Sequence, residues 1–365
     1  MAGQNKIGFA RDAAAFVVSE LAPADRVSLT IFDDEVETLA PNAPASDRDR
    51  LLRLIAGVAP GGSTALHGGW AAGAKQTADN LVPGGLNRVL LLSDGLANVG
   101  ESRPDAICDD VHARSGAGVS TTTLGLGNEY NEDLLEAMAR SGDGNYYYVE
   151  SPQQLAAIFR TELHGLTATA GTEVTLALEL GAGVTVADVL NDLDRDPAGR
   201  CKLPNLVAGL PVLVVLRLEV PAGAAERHVC AVRLEWTAPG TGDRDSAAAG
   251  LVLPAVPSGS WDALAPDADV QERTVLLLIA RAKKAAILAV ERGDPVYARQ
   301  LLAEARAMLT GLPQTAEVGA EIQALANLDA LLERGDFAGS SKRAKHEAYS
   351  RRHSKLFIPP PDARA

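Results

Sequence analysis

The stretch Arg88–Gly95, with the sequence RVLLLSDG, decides the fold of the first part of this chain. Four apolar residues run without interruption into Ser93, Asp94 and Gly95, which together signal a turn. An apolar run of this length predicts a strand that is buried on both faces of a parallel sheet. Asp94 then comes directly after the carboxyl end of that strand, at the sheet edge where open α/β folds bind ligands. Its carboxylate could coordinate a metal or serve catalysis, or it could cap the following turn or helix.

The length, charge and cysteine content of the chain exclude several classes of protein. The chain has 365 residues, enough for two or three domains, and a net charge of −13, which argues against a general nucleic-acid binder. Its three cysteines are too few and too widely spaced for a disulfide framework or a metal knuckle, which favours a reducing compartment and a cytoplasmic location. No apolar run approaches the roughly 18 residues of a membrane span.

Strands and helices alternate over residues 1–164. Strands are predicted at residues 26–32, 36–39, 89–92, 119–124 and 146–149, with amphipathic helices before, between and after them. This alternation predicts an α/β fold with a doubly wound, mostly parallel sheet.

The pattern changes after residue 165. Apolar or alternating runs without intervening helices predict a β-sandwich-like domain over residues 165–256. Residues 257–268 have the composition of a linker. Residues 269–337 predict an α-helical domain with a hairpin at Gly293-Asp294-Pro295. The basic segment 338–365 is expected to be a solvated, flexible tail, although a specific anion or partner site is the alternative.

Three segments of the first domain resemble the von Willebrand factor A (VWA) domain family. Residues 25–32 resemble its second strand, the loop Gly61-Gly62-Ser63-Thr64 its glycine-rich loop with a metal-binding threonine, and residues 91–95 its fourth strand with the metal-site aspartate. The resemblance implies an Mg²⁺ site on top of the sheet, with Thr64 and Asp94 as ligands and one position left for a carboxylate of a partner. Ser63, Ser93 and His67 would contact that partner; His67 could equally be an ordinary helix-face residue.

The remaining ligands of the family come from an Asp-x-Ser-x-Ser motif after the first strand, and this sequence has no such motif. The segment Met1–Ile7 resembles the residues that come directly after that motif in many members. We therefore expect that the chain begins directly after the motif and lacks the first strand, so that strands 27–32 and 89–92 flank an open slot. A natural variant without the strand is the alternative. Mg²⁺ binding is expected if the motif exists upstream, and weak or absent binding for the chain as given.

The order of the three domains resembles a group of bacterial VWA proteins, some of them labelled as homologues of calcium-activated chloride channels. The front half also resembles animal inter-α-trypsin-inhibitor heavy chains. This resemblance implies a non-enzymatic scaffold that binds a protein partner and no nucleic acid. Two alternatives stay open: an adaptor for a MoxR-type AAA+ ATPase, and a metal-assisted hydrolase.

Overall fold

The computed structural model describes residues 5–82, 85–149, 152–223, 226–334, 342–343, 345–347 and 349–350. The chain divides into two compact units. The first runs up to Thr169, and the second comprises most of the chain from Ala170 onwards. Within the described part of the chain, no helix is both long enough and apolar enough to cross a membrane.

The first unit alternates helices and strands, as the hydrophobic pattern predicts. Its elements are α1 (Lys6–Glu20), β1 (Arg26–Phe32), β2 (Val36–Pro44), α2 (Arg48–Gly57), α3 (Leu66–Ala78), β3 (Asn87–Ser93), α4 (Pro104–Gly116), β4 (Val119–Leu126), α5 (Glu132–Ser141), β5 (Asp143–Val149) and α6 (Leu155–Thr167). The strands β3, β4 and β5 pair in parallel in that order, whereas β1 pairs with β2 in antiparallel register.

Helices cover both faces of the parallel sheet. On one face, Ala13 of α1 and Phe159 of α6 join a core cluster with Leu124 and Tyr147 of the sheet. On the other face, the buried Trp70 of α3 donates a hydrogen bond from Nε1 to Thr121 Oγ1, 3.0 Å away. This two-sided cover is consistent with the continuous apolar run Val89–Leu92 in β3. The predicted α/β fold with a mostly parallel, doubly wound sheet is confirmed.

The strands β1 and β3 do not pair with each other, in keeping with the expected slot. They belong to separate sheets, and among the described residues no strand occupies the second edge of either one. A cavity of about 1020 Å³ is lined by both strands.

The second unit contains an antiparallel β region followed by helices. Its elements are β6 (Thr169–Leu180), β7 (Thr185–Val189), β8 (Cys201–Lys202), β9 (Leu206–Val207), β10 (Leu216–Glu219), β11 (Arg227–Thr237), β12 (Arg244–Leu253), α7 (Ala268–Glu291), α8 (Pro295–Met308) and α9 (Ala316–Glu333). One sheet has the order β12-β11-β6-β8 with β9 also on β6, and a second sheet pairs β10 with β7. Val184, Leu218 and Val229 pack together, so side chains from both sheets share one cluster.

The helical part has the predicted start and stop residues. Gly293 adopts a positive φ of 81° after α7, and Asp294 caps α8 by accepting a hydrogen bond from Tyr297 N at 2.9 Å. Pro295 is the first residue of α8. A single apolar cluster that includes Leu276, Leu302 and Leu325 joins the three helices.

The basic tail differs from the expectation at the residues that the structure describes. Lys342, Lys345 and Tyr349 lie in short helical pieces and are buried. Lys345 Nζ lies 2.9 Å from Glu291 Oε1. These residues are not a solvated face, because Lys345 has a carboxylate partner on α7 and its neighbours are covered by the unit. The tail residues 338–341, 344, 348 and 351–365 lie outside the described residues.

Candidate functional site

Three segments of the chain meet at the edge where β1 and β3 end. Asp33 comes after β1, and its carbonyl oxygen accepts a hydrogen bond from Ala65 N at 2.6 Å. Asp94 comes after β3, and the next residue, Gly95, lies against Thr64. A Cβ added to Gly95 would be only 2.6 Å from Thr64 Oγ1. The structure therefore brings together the two residues that the sequence predicted as metal ligands, and we call this edge the strand-end site.

The glycine-rich loop is fixed at this edge through its backbone. Thr64 N donates to Asn98 Oδ1 at 2.8 Å, and Asn98 N donates back to Thr64 O at 3.2 Å. Gly61 must lack a side chain, because a Cβ there would lie 2.2 Å from Asp33 Oδ2. Ser63, between these anchors, is exposed. The loop thus presents the Ser63 hydroxyl between a backbone that is hydrogen-bonded at Thr64 and a glycine, Gly61, that lies close against the Asp33 side chain.

A buried lysine supplies positive charge to the site. Lys6 Nζ lies 3.5 Å from Asp94 Oδ2 and 3.4 Å from Glu129 Oε2, and the Lys6 side chain is only 11% exposed. Gly127 makes room for it, because a Cβ there would lie 3.2 Å from Lys6 Nζ. Lys6 was not among the site residues predicted from the sequence. One signal was available, since a lysine at the first position of a helix opposes the helix dipole and therefore needs a carboxylate partner.

The other predicted contact residues differ in their surroundings. Ser93 is 2% exposed, and its hydroxyl lies 3.3 Å from both the N and the O of Gly95, so it stabilises the turn rather than facing a partner as expected. His67 lies on α3, stacks on Trp70 and holds Asp110 Oδ2 at 2.9 Å from Nε2. His67 is thus oriented by α4, and a partner contact through it stays a prediction.

The described residues at the strand-end site do not make a complete ligand set for Mg²⁺. This ion demands near-octahedral coordination by oxygen atoms. Thr64 and Asp94 provide two side chains, and within the described ranges no group of three or more His, Cys, Asp or Glu side chains could hold a metal ion. The Lys6 ammonium also places a positive charge beside the Asp94 carboxylate. The residues therefore do not fit a tight divalent site.

We expect this chain to bind Mg²⁺ and Mn²⁺ weakly or not at all, because two ligands beside an ammonium group leave most of the coordination shell to water. Isothermal titration calorimetry of the full chain should give no saturable heat for either ion below about 1 mM. The Asp94→Ala variant, titrated in parallel, identifies any binding elsewhere on the surface. Micromolar affinity that disappears in Asp94→Ala would refute this expectation.

Comparisons with known proteins agree with the architecture of the first unit. The sequence profile of the von Willebrand factor type A domain matches residues 2–161. The uncharacterized protein YfbK of Escherichia coli is 26% identical over 180 residues, which are 49% of this chain and 31% of YfbK. Human inter-alpha-trypsin inhibitor heavy chain H3 is 27% identical over 152 residues, which are 40% of this chain and 17% of that protein. The chain thus spans a third or less of these relatives.

A similar fold extends over nearly the whole chain. The solved structure of a von Willebrand factor type A protein from Catenulispora acidiphila superimposes with a TM-score of 0.70 at 17% identity, covering 97% of this chain and 86% of the other. At this identity the match establishes the fold alone. The profile match, the alternating α/β pattern and the convergence of Thr64 with Asp94 all concern the same part of the chain. Residues 2–161 are therefore a von Willebrand factor type A domain.

Proposed function

We propose that the first unit is a protein-binding module and that its partner docks on the strand-end site. VWA domains typically mediate interactions between proteins. The observation that carries the proposal is the convergence of Ser63, Thr64 and Asp94 from distant parts of the chain at one edge of the sheet. Of these, Ser63 is exposed and Thr64 is half-buried.

The charges around the site support a fixed binding surface. Lys6 links α1 to the residue after β3 and, through Glu129, to the segment after β4. The Lys6 and Asp94 side chains are 11% and 15% exposed, so solvent screens this pair less than a surface pair. We assign Asp94 and Lys6 to holding the edge in place, and the Ser63 hydroxyl to direct hydrogen bonding with the partner.

Affinity capture with the full chain tests the proposal. The immobilised wild type is compared with Ser63→Arg, which blocks the exposed loop, and with Asp94→Ala, which leaves Lys6 without this carboxylate. We expect both variants to retain at least roughly tenfold less of any specific partner, as for a contact near the centre of an interface. Asp12→Ala is the matched control, because Asp12 is exposed on α1. Equal capture by wild type and both site variants would place the partner elsewhere.

The two alternative functions make different predictions in the same experiment. An adaptor for a MoxR-type AAA+ ATPase requires that the captured protein be an ATPase and that its retention depend on ATP. A hydrolase requires turnover that Asp94→Ala abolishes. We infer a non-enzymatic scaffold because the charged side chains at the strand-end site are engaged within the domain: Lys6 pairs with Asp94, and Asp33 accepts a hydrogen bond from Glu35 N. His67 is likewise engaged by Asp110.

A further inference from the structure

The helical part of the chain contains an internal sequence repeat. The tetrapeptide Glu-Arg-Gly-Asp occurs at residues 291–294 and again at residues 333–336. The helices α7 and α9 end at the glutamate of the first and the second copy, respectively. Helix α8 begins directly after the first copy, at Pro295. The repeat therefore predicts a second helical hairpin, in which the segment after residue 336 takes the place that α8 has in the first.

The buried residues follow the same repeat. Val318, Glu321, Leu325 and Leu328 of α9 lie forty-two residues after Leu276, Ile279, Lys283 and Ala286 of α7, and all eight are buried. Beyond the second tetrapeptide, Lys342, Lys345, His346 and Tyr349 are buried as well. The last three lie three, four and seven residues after Lys342, a spacing that places all four on one face of a helix. We call the described residues of segment 342–350 the strap.

The buried face of the strap differs in chemistry from that of α8. Helix α8 buries Ala298, Leu302 and Ala305, which belong to the apolar cluster of the three helices. Of the described residues beyond Leu332, none belongs to that cluster. The strap instead buries lysine and histidine side chains. Ion pairs barely repay the desolvation of buried charges, so the strap is held less firmly than α8. Local departures from apolar packing of this kind are expected at functional sites.

Ion pairs attach the strap to α7. Lys345 Nζ lies 2.9 Å from Glu291 Oε1. Glu347 Oε2 lies 2.7 Å from Lys283 Nζ, which also lies 2.7 Å from Glu321 Oε1 of α9. We call the surface formed by Lys283, Glu291 and Glu321 the strap site. Its two carboxylates and one ammonium group give it a net negative charge, which complements a helix that carries lysines.

We propose that the strap is a releasable occupant of the strap site, and that a lysine-bearing helical segment of a partner protein displaces it. The strap shows which segment fits: two lysines three residues apart, a glutamate two residues after the second lysine, and an aromatic residue two residues further on. Because the incoming segment would make the same ion pairs, the exchange leaves no buried charge unpaired. The strap site belongs to the second unit, so the inference does not rest on the proposed function.

Hydrogen exchange of the full chain tests the release. We expect the backbone amides of the strap to exchange at least roughly tenfold faster than those of α8, because release of the strap leaves the apolar cluster of the three helices intact. Helix α8 is the matched comparison, since it holds the equivalent place in the first hairpin. Exchange of the strap that is as slow as exchange of α8 would contradict the release.

A labelled peptide tests whether the strap site accepts a segment from outside the chain. The probe is SKRAKHEAYSRR, the sequence of residues 341–352, and its binding to the full chain is followed by fluorescence anisotropy. Lys345→Glu sets like charges against each other in the resident strap. We expect this variant to bind the peptide at least roughly tenfold more tightly than the wild type. Arg306→Glu is the control, because it makes the same change of charge at an exposed position of α8 and should bind like the wild type.

An exchange of charges separates specific docking from the general attraction of a basic peptide to a chain of net charge −13. In the peptide SKRAEHEAYSRR, glutamate replaces the lysine that corresponds to Lys345. Glu291→Lys should bind this peptide at least roughly tenfold more tightly than SKRAKHEAYSRR, because the ion pair forms again with its charges exchanged. The Lys345→Glu variant should show the opposite preference.

Either of two binding results overturns the proposal. The first is equal affinity of the wild type and Lys345→Glu for SKRAKHEAYSRR. The second is a preference of Glu291→Lys for SKRAKHEAYSRR, since only net charge would then be recognised. If Lys345→Glu does not fold, as judged by circular dichroism, the exchange measurement on the wild type and the two titrations of Glu291→Lys decide instead.

Discussion

Replacing Arg88 by methionine is expected to lower the free energy of unfolding of the first unit by about 3–5 kcal/mol at pH 7. Arg88 Nη1 lies 3.0 Å from Glu162 Oε2, and the Glu162 side chain is 0% exposed. Without the guanidinium, the carboxylate stays buried without its charge partner. Methionine keeps much of the apolar stem of arginine, so the loss comes mainly from the charge.

Hydrogen bonds from three neighbouring side chains hold the Glu162 carboxylate in its buried position. Thr122 Oγ1 donates to Glu162 at 2.9 Å, Tyr147 OH donates at 2.7 Å, and Asn145 Nδ2 also donates. These donors lie on β4 and β5, Arg88 lies on β3, and Glu162 lies on α6. The network thus ties the whole parallel sheet to the helix that covers it.

The stability that Arg88→Met loses depends on pH, and the pKa of Glu162 gives the direction of that dependence. Burial raises the pKa of Glu162, but Arg88 and the hydrogen bonds outweigh it and hold the pKa below the ordinary 4.5. A carboxylate with a lowered pKa stabilises the fold above pH 4.5, and this contribution is lost as the pH falls further. In Arg88→Met no guanidinium offsets the effect of burial on the pKa of Glu162. The difference between variant and wild type should therefore shrink as the pH falls below 4.5.

Urea unfolding followed by circular dichroism, at pH 7 and at pH 4, measures this difference. Arg103→Met is the matched control, because Arg103 pairs with Glu101 on the surface and its side chain is 79% exposed. We expect that control to unfold at the same urea concentration as the wild type. A change of less than about 1 kcal/mol in Arg88→Met would show that the buried pair does not hold the sheet.

The second large effect is expected for Lys283→Met in the helical part of the chain. Lys283 Nζ lies 2.7 Å from Glu321 Oε1 and 2.7 Å from Glu347 Oε2, and the lysine side chain is 1% exposed. Removing the ammonium leaves two carboxylates close together and largely buried. We expect a loss of about 3–5 kcal/mol.

The charge state of Lys283 is fixed over the ordinary pH range. Burial lowers the pKa of Lys283, but Glu347 and Glu321 outweigh it and raise the pKa above the usual 10.5. A raised lysine pKa stabilises the fold fully below pH 10.5, and the contribution is lost above that value. The deficit of Lys283→Met should therefore be constant between pH 7 and pH 9.

The adjacent lysine offers a close control. Lys284 is exposed on the same helix, so Lys284→Met should unfold like the wild type. The double variant Lys283→Met, Glu321→Gln should recover part of the loss, because one of the two buried charges is then absent. If Lys283→Met and Lys284→Met unfold at the same urea concentration, the buried cluster does not stabilise the helices.

Much of the fold was predictable from local sequence. The strand Arg26–Phe32 has the bounds that its alternation predicted, and α8 begins at the predicted Pro295 after Gly293. The helix α7 starts at Ala268, one residue before the predicted helical domain, because the Asp267 side chain caps it and accepts a hydrogen bond from Val270 N. These features could be predicted because hydrophobic periodicity and helix capping depend on residues close together in the sequence.

Features that depend on residues far apart in the sequence could not be predicted from local sequence. The strands β8 and β9 have two residues each, too short for any period to show. The apolar run of residues 210–220 forms a strand only at Leu216–Glu219, since Pro211 near its start cannot donate a ladder hydrogen bond. Lys345 lies in a basic, polar segment that is typical of a solvated surface. It is nevertheless buried, because its ammonium group pairs with the carboxylate of Glu291, more than fifty residues earlier.

The sequence by itself determined the α/β pattern, the β-rich and helical segments, and the proximity of Thr64 to Asp94. The resemblance to the VWA family implied that proximity, because Thr64 and Asp94 match two ligand positions of the family's metal site. Only the tertiary structure decided which group pairs with Asp94, namely Lys6, eighty-eight residues away in the sequence. The energy of an ion pair depends on the distance between its two charged groups in the folded chain, and the period of a hydrophobic pattern does not encode that distance.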